Sequence, residues 1–237
     1  MRLAVAALSV VMLLVAATAV SACGIVEPDA NLANNPVVAT VCSSVVKISG
    51  VANSCQSILL GSGFVVAPNV VMSAAHSLAG ADSASVEVDG NTYDAQVVSY
   101  DPNADISILS VPNLMAQPLP FADSPATSGT DALVLGYPGG GDFVAAPARI
   151  GQVTELTGPD IYHTTTVTRE VYTIRGTVKQ GDSGGPLIDL NGRVLGVAFG
   201  AATDVAETGF ALTAREVAPQ MAKVGKTESV ATGPCIS

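Results

Sequence analysis

Gln180-Gly181-Asp182-Ser183-Gly184-Gly185-Pro186-Leu187 is the stretch of sequence around which the chain is organised. A serine among glycines is typical of a loop that presents a nucleophile, since glycine turns tightly and has no Cβ to crowd a substrate. A serine hydroxyl attacks a carbonyl only with a base beside it and with donors at the developing negative charge. The backbone N–H groups of Gly181 and Ser183 are the candidate donors. A Gly/Ser/Asp turn is the alternative for the three central residues alone, but the whole run followed by Pro and an apolar strand favours the nucleophile loop.

The composition predicts a β protein. Of 237 residues, 49% are apolar and 13% are charged, which excludes a disordered chain. Frequent Val, Ile and Thr, with 23 Gly and 14 Pro between short apolar runs, predict an all-β fold. The net charge of −10 argues against nucleic acid as a partner, because phosphates are bound by Lys and Arg. Solubility is sufficient to explain that charge.

Strands and one helix are predicted from alternation and turn signals. A helix is expected to begin at Thr213-Ala214-Arg215-Glu216, which has the spacing of a capping box. The predicted strands are 37–49 with a break at 42–44, 57–67, 70–73, 83–88, 92–100, a strand starting at 105, 131–136, 144–156, 167–178, 186–190 and 193–199.

Two histidines are available as the base, His76 and His163. His76 lies in Ser73-Ala74-Ala75-His76, where small residues leave room around the ring, whereas His163 lies in a polar connection and is interpreted as structural or exposed. Asp105 opens an apolar strand, where a carboxylate is costly unless it is paired; a strand-edge carboxylate in water is the alternative. We therefore predict that Ser183 is the nucleophile, His76 its base and Asp105 the group that orients His76.

The N-terminal segment predicts export. Residues 3–22 are almost all apolar after a single basic residue, as in a signal peptide or an uncleaved membrane anchor. Val20-Ser21-Ala22-Cys23 resembles a bacterial lipobox, which makes Cys23 a candidate for lipidation. Residues 23–36 are polar and are interpreted as a tether. Each alternative places residues 24–237 outside the cytoplasm, in the cell envelope on the periplasmic side of the membrane or secreted.

Four cysteines are present: Cys23, Cys42, Cys55 and Cys235. Outside the cytoplasm an even number suggests disulfides, although a lipidated Cys23 would leave one of the others unpaired. Cys42 lies in an apolar segment and is interpreted as a small buried residue. A bridge between Cys55 and Cys235 would close a loop of roughly 180 residues and stabilise the fold by about 5 kcal/mol. The residues alone leave the pairing open.

The order His76, Asp105, Ser183 is that of chymotrypsin. Ser-Ala-Ala-His and Gly-Asp-Ser-Gly-Gly-Pro-Leu resemble the two signature segments of the chymotrypsin-like serine proteases. Gly61-Ser62-Gly63-Phe64 and Thr208-Gly209-Phe210-Ala211-Leu212 resemble the trypsin-like and HtrA branch. Residues 27–237 are most similar to the periplasmic protease domain of the mycobacterial acid-resistance serine proteases, through Pro36-Val37-Val38-Ala39-Thr40, Val98-Ser99-Tyr100-Asp101-Pro102, the segment 134–141, Gly158-Pro159-Asp160-Ile161-Tyr162 and the segment 180–192.

This resemblance implies a fold and an activity. The fold would be two six-stranded antiparallel β-barrels, residues 37–122 and 123–237, with the catalytic groups in the cleft between them and a short C-terminal helix. The activity would be hydrolysis of peptide bonds in envelope proteins through an acyl-enzyme, in acid or oxidative stress, without metal or organic cofactor. The Cys55–Cys235 pair fits the positions of the family's disulfide. The family carries several membrane helices in front and this chain has one apolar segment, so the membrane contact would come from that segment or from lipid.

Substrate preference is predicted from residues near the nucleophile. Trypsin-like enzymes carry an acidic residue six positions before the serine to select Lys or Arg, and Thr177 at that position argues against strict basic specificity. The strand Val197-Ala198-Phe199-Gly200 is expected to pair with an extended substrate, with Ala198, Phe199 and Gly200 as binding residues. No Arg/Lys-Ile-Val-Gly-Gly activation site is present, so Asp182 is expected to have a local partner. A catalytically inactive relative that serves as a binding or scaffold domain is the alternative function.

Overall fold

The structure is a computed structural model that describes residues 27–202 and 207–236. The predicted signal or anchor at residues 1–22 and the lipidation candidate Cys23 lie outside the described residues. Within these described ranges, none of the helices has both the length and the apolarity needed to cross a membrane.

The first barrel is closed by six antiparallel strands in the order β1-β2-β3-β6-β5-β4. Turns with left-handed residues, such as Asn69 and the pair Asp89-Gly90, join neighbouring strands, because short polar residues and glycine adopt a positive φ most easily. Alternate residues of each strand fill the interior. The strands are β1 (Val45–Ala52), β2 (Ser57–Ala67), β3 (Val70–Ser73), β4 (Ser83–Val88), β5 (Asn91–Asp101) and β6 (Ile106–Ser110).

The second barrel is closed in the order β10-β11-β12-β9-β8-β7, with β7 pairing back to β10. The expected all-β fold of two six-stranded antiparallel barrels is therefore confirmed. A core shared by both barrels, including Phe64 and Ile108 from the first and Leu133 and Val197 from the second, fixes one barrel against the other. The strands are β7 (Asp131–Gly136), β8 (Val144–Pro159), β9 (Thr166–Gly176), β10 (Pro186–Ile188), β11 (Val194–Ala201) and β12 (Thr208–Thr213).

The segment before β1 is helical, so the prediction of a strand starting at residue 37 was wrong there. Helix α1 (Pro36–Val41) is followed by a 3-10 turn, Cys42–Ser44. The side chain of Asn35 accepts a hydrogen bond from the N–H of Val37 at 3.0 Å, and Pro36 stands at the first helical position. A capping Asn followed by Pro starts a helix even where valines favour a strand.

The described part of the predicted tether lies on the second barrel. Glu27 forms an ion pair with Arg175 Nε at 2.7 Å. The 3-10 helix Ala30–Asn34 then packs against β7 and β8. Residues 27–35 are thus attached to the domain, which the polar composition of the segment did not predict.

The C-terminal helix α2 (Ala214–Met221) begins where its capping sequence predicts. Thr213 Oγ1 accepts a hydrogen bond from the N–H of Glu216 at 3.1 Å. The carboxylate of Glu216 accepts from the N–H of Glu170 on β9, at 2.8 Å, so the helix is also attached to the barrel.

The chain after α2 returns to the first barrel. The N–H of Val230 donates to the carbonyl of Val97 at 2.9 Å, and a disulfide joins Cys55 to Cys235. This is the pairing that the family resemblance implied. Cys42 is a free, partly buried thiol. The disulfide attaches the end of the chain to the barrel that contains His76.

Candidate active site

His76 and Asp105 meet because β3 and β6 are paired. Ser73 lies opposite Ser107, so the residues just after β3 and just before β6 come together. His76 begins a one-turn 3-10 helix, and Asp105 has a left-handed φ of 56°. Asp105 Oδ2 lies 2.6 Å from His76 Nδ1, and Asp105 Oδ1 accepts the backbone N–H of His76 at 2.8 Å. Both carboxylate oxygens are therefore used to hold one histidine.

The environment of this pair raises the basicity of the imidazole. Asp105 is buried, with 2% of its side chain exposed, whereas the His76 ring is partly exposed at the cleft. Burial pushes the pKa of His76 down, and the negative charge of Asp105 and the hydrogen bond to it push the pKa up. The net result is a pKa above the ordinary value of 6.5. Asp105 thus stabilises the imidazolium cation that forms when His76 accepts a proton.

The loop of Ser183 lies between the two barrels. On one side the N–H of Ser62 in β2 donates to the carbonyl of Ser183 at 3.0 Å. On the other side the N–H of Gly184 donates to the carbonyl of Ala198 in β11 at 2.8 Å. A Cβ at Gly184 would lie 2.4 Å from the N of Ala74, so glycine is required for this close approach.

Ser183 therefore lies between the two barrels, next to the segment that leads to His76. Its side chain is half-buried. In residues 27–202 and 207–236, no hydrogen bond joins Ser183 Oγ to His76. Catalytic hydrogen bonds are often long without a bound substrate, so this geometry is compatible with the pair acting together.

The two candidate oxyanion donors are free. Neither the N–H of Gly181 nor that of Ser183 donates to a protein acceptor within the described ranges. Gly181 has a φ of 97°, and a Cβ there would lie 2.5 Å from the N of Gly139. Only glycine can therefore place its N–H at this point of the loop.

Ser62 supports this loop, and the sequence did not reveal it. Its hydroxyl, fully buried, donates to the carbonyl of Gly181 at 2.6 Å and accepts the N–H of Tyr137 at 2.8 Å. Ser62 is thus a positioning residue that ties the first barrel to the nucleophile loop. In the sequence, the Gly-Ser-Gly motif supports only the family resemblance and contains no signal for this bridge.

Asp182 has a local partner, as the missing activation site predicts. Asp182 Oδ2 accepts the backbone N–H of Lys179 at 2.8 Å, and the carbonyl of Asp182 accepts the N–H of Gly185 at 2.9 Å. Burial raises the pKa of Asp182, and the Lys179 N–H and charge lower it, with a net rise. A backbone amide therefore holds Asp182 and the turn around it.

Arg169 is a second residue that the sequence did not single out. It is buried, and its guanidinium lies 5.1 Å from the ring centroid of Phe199. Arg169 Nε donates to the carbonyl of Asn103 at 2.7 Å, and Nη1 donates to that of Pro159 at 3.2 Å. Burial lowers the pKa of Arg169, although nearby carboxylates, Asp105 first among them, oppose this. Arg169 joins both barrels beneath the cleft.

A cleft of about 430 Å³ lies beside the candidate catalytic pair His76 and Asp105. Its lining includes His76, Arg169, Phe199 and Ile236. Ile236 follows the disulfide at Cys235, so the C-terminal residues form one wall of the cleft. The cysteine pairing therefore also positions an apolar side chain near the base.

The structure leaves only part of the predicted strand 197–200 available to pair with a substrate. The N–H and carbonyl of Ala198 are bonded to Gly185 and Gly184, so Ala198 has no main-chain group left for a substrate. Phe199 lies in a bulge between β11 and β12, and a Cβ on Gly200 would meet no atom within 4 Å. The open edge is therefore Phe199–Gly200. Thr177, the predicted selector of the substrate side chain, is exposed.

The other histidine lies elsewhere. His163 is exposed in the turn between β8 and β9, with a left-handed φ of 57°, and is not among the residues that line the cleft. Within the described ranges no three or more His, Cys, Asp or Glu side chains are grouped so that they could hold a metal ion.

The chain matches a known family, since the trypsin-like peptidase domain matches residues 61–197, more than half of the chain. The chain belongs to the trypsin-like peptidases. This trypsin-like peptidase is 58% identical over 214 residues to the serine protease Rv3671c of Mycobacterium tuberculosis, a match that covers 90% of this chain and 54% of that protein. It is 25% identical over 193 residues to a probable periplasmic serine endoprotease, DegP-like, of Rickettsia prowazekii, which covers 77% of this chain and 37% of that protein. The chain spans about half the length of the curated relatives in the first of these matches.

Solved structures of a serine protease also match the fold of this chain. The crystal structure of the Rv3671c protease in its active form superimposes on this trypsin-like peptidase with a TM-score of 0.89 and 57% identity, over 90% of this chain and 95% of that one. The inactive form of the same protease gives a TM-score of 0.77 at 56% identity, over 85% and 99%. The described fold is therefore nearer to the active form.

Proposed function

We propose that this chain is an extracytoplasmic serine endopeptidase that hydrolyses peptide bonds through an acyl-enzyme. The observation that carries the proposal is the buried Asp105, whose two oxygens hold the ring and the backbone of His76 at 2.6 and 2.8 Å. A buried carboxylate that holds a cleft histidine beside a serine loop with two unused N–H groups is the arrangement that acyl transfer requires.

Each group has a distinct role in the proposed mechanism. Because Asp105 accepts the proton on Nδ1 of His76, Nε2 is left as the base that takes the proton of Ser183. Ser183 Oγ then bonds to the substrate carbonyl carbon, and the resulting oxyanion accepts hydrogen bonds from the N–H groups of Gly181 and Ser183. His76 returns the proton to the leaving amine, and water, deprotonated by the same imidazole, releases the acid.

The substrate is proposed to be an extended segment of a protein in the cell envelope. Its acyl side would add as a strand along the Phe199–Gly200 edge, where the bulge leaves room. Thr177, six residues before Ser183 in the sequence, supplies an exposed hydroxyl and no carboxylate. We therefore expect no strict requirement for Lys or Arg before the scissile bond.

The location is proposed from the chemistry of the chain. A disulfide between Cys55 and Cys235 favours an oxidising compartment. Residues 3–22 have the composition of an export signal or an anchor, and Cys23 after them is the candidate lipid site. A role in acid or oxidative stress is part of the proposal. The oxidative role is favoured over the acid role, because a His76 pKa above 6.5 slows general-base catalysis in acid. An N-terminal mass measurement decides between cleavage, retention and lipidation.

A binding or scaffold domain that keeps the fold without catalysis is the second candidate, since fold alone does not fix function. Fluorophosphonate labelling separates the two. We expect labelling of the folded, disulfide-intact protein and of Ser229→Ala, an exposed serine control. Ser183→Ala should not label, and His76→Ala should label at least about a thousandfold more slowly. An unlabelled, folded parent would establish the scaffold instead.

A further inference from the structure

A cavity of about 480 Å³ lies on the second barrel beside α2. Tyr172 on β9 and Leu195 on β11, which are 1% and 4% exposed, line its buried side. Phe121 and Pro125, in the connection between the barrels, line another side. We name the space bounded by these four residues and α2 the helix cavity. Its volume is that of a small-molecule site, and the described residues that line it differ from those that line the cleft at His76.

Helix α2 has an apolar face on this cavity in addition to the face that it buries in the core. The buried residues of α2 are Val217 and Gln220. Ala214, Ala218 and Met221 follow one another at spacings of four and three residues, so they share a different face of the helix. All three line the cavity, and Ala218 is exposed. Solvent therefore reaches an apolar helix face through the helix cavity.

The wall opposite α2 is held in place by hydrogen bonds. The N–H of Ala122 donates to the carbonyl of Val194 at 2.9 Å, and the N–H of Ala126 donates to the hydroxyl of Tyr172 at 3.0 Å. These bonds fix the connection between the barrels on both sides of Pro125, so the cavity is preformed. Water in an apolar cavity finds few polar partners, and an apolar group that displaces such water gains affinity.

The polar side chains next to α2 are paired with one another. Thr213 Oγ1 donates to Glu170 Oε1 at 2.6 Å, and Glu170 Oε2 forms an ion pair with Arg215. The side chain of Glu170 is 13% exposed, whereas that of Arg215 is 81% exposed. A guanidinium carries five N–H donors, more than one carboxylate oxygen accepts. The group that meets solvent at this edge of the cavity is therefore a cation with donors to spare.

The second exposed charge at the cavity already has a cation beside it. Asp123 Oδ2 lies 3.8 Å from Arg193 Nη1, and the side chain of Asp123 is 95% exposed. A cationic ligand would have to compete with Arg193 for this carboxylate. An anionic ligand would lie at Arg215, because the planar guanidinium binds a carboxylate through two parallel hydrogen bonds. The charges at the cavity thus favour an anionic head group.

We propose that the helix cavity binds an unbranched aliphatic chain with a carboxylate head, as in a medium-chain fatty acid. The chain lies between α2 and the side chains of Tyr172 and Leu195, where its apolar surface is removed from water. The carboxylate stays at the surface and binds Arg215. This site is separate from the proposed endopeptidase function, because none of the candidate catalytic residues takes part in it.

Calorimetric titration of the folded, disulfide-intact protein tests the site without any turnover. The probes are sodium hexanoate, octanoate and decanoate, each below the concentration at which it forms micelles. We expect one site per chain and an affinity that rises about fourfold for each added methylene, as the free energy of burying a CH₂ group predicts. Decanol and decylammonium carry the same chain with a neutral and a cationic head, and both should bind more weakly than decanoate.

Two variants separate the head group from the chain. Arg215→Gln should weaken decanoate about fivefold, the effect of a solvent-exposed charge pair, and leave decanol unchanged. Ala218→Phe places a ring in the cavity and should weaken both ligands at least about tenfold, as a blocked apolar contact does. Ala222→Phe is the matched control, since Ala222 is an exposed alanine at the end of the same helix that does not line the cavity, and it should bind as the parent does.

Three results would overturn this inference. The first is a folded parent that shows no saturable binding of decanoate, or that binds decylammonium more tightly. The second is an Ala218→Phe variant with the circular dichroism and the decanoate affinity of the parent, which would show that the chain binds elsewhere. The third is a dimer of the parent that Ala218→Phe dissociates, which would show that a second copy fills the cavity. Failure of fluorophosphonate labelling would overturn the proposed function and leave this site intact.

Discussion

Replacing Asp105 by Asn keeps the shape of the side chain and removes the charge that raises the pKa of His76. In the parent, one oxygen of Asp105 accepts the His76 backbone N–H at 2.8 Å and the other faces Nδ1 at 2.6 Å. An amide has a single acceptor oxygen. If this oxygen keeps the backbone N–H, the NH₂ group faces Nδ1 and forces the ring proton onto Nε2, where it blocks uptake of the serine proton.

The size of the effect follows from the loss of the productive tautomer. We expect Asp105→Asn to lower kcat by about 10⁴-fold, close to 5.5 kcal/mol of transition-state stabilisation. The pH dependence should change as well, because only the neutral imidazole acts as base. In the parent the acid limb of kcat/KM should lie above pH 6.5, since Asp105 raises the pKa of His76. In the variant no carboxylate charge opposes the effect of burial on the pKa of His76. The acid limb of kcat/KM should therefore move below pH 6.5.

Stability gives an independent check with a defined sign. A histidine whose pKa is higher in the folded protein stabilises the fold at pH below 6.5, and this contribution is lost as the pH rises through the folded-state pKa. The free energy of unfolding of the parent should therefore fall over that range relative to Asp105→Asn.

The assay is cleavage of a chromogenic peptide across the neutral pH range, with urea unfolding at the same pH values. Asp94→Asn, which removes an exposed carboxylate from the same barrel, is the control and should behave as the parent does. An acid limb of the parent below pH 6.5, or an Asp105→Asn variant with the rate and limb of the parent, would refute the reasoning.

Three further changes test the supports of the site. Ser62→Ala leaves the carbonyl of Gly181 and the N–H of Tyr137 unpaired and should lower the free energy of unfolding by about 1–3 kcal/mol together with kcat, measured by urea unfolding and peptide cleavage; unchanged values of both would show that the bridge has no role. Gly181→Ala places a side chain at a φ of 97° and should lower kcat by about 10²–10³-fold with little change in circular dichroism, as loss of an oxyanion donor does; full activity would remove Gly181 from the site. The double variant Cys55→Ser/Cys235→Ser should have a free energy of unfolding about 5 kcal/mol below that of the parent in urea unfolding. Reductant should lower the free energy of unfolding of the parent and leave that of the variant unchanged; a parent that is equally stable with and without reductant would contradict this prediction.

Much of the fold could be predicted because its signals are local. The hairpin of β4 and β5 turns at Asp89-Gly90, and β7 has the bounds that its apolar run predicts. The error at residues 37–41 arose because three valines outweighed the Asn35-Pro36 helix start, although that capping signal was present. His76, Asp105 and Ser183 could be predicted as candidates because nucleophile loops and strand-edge carboxylates have recognisable neighbours in sequence.

By itself the sequence determined most of the strands, but not the helix at 36–41 or β12. It also determined the order of the three candidate catalytic residues and placed Thr177 where an acidic residue would select Lys or Arg. Only the tertiary structure decided what holds them. Ser62 and Gly181 are 119 residues apart, and they bond because each barrel closes on itself and the two share a core. The role of Arg169 under the cleft depends on that closure too. Such contacts join residues on different strands of different barrels, and no local pattern of side chains encodes them.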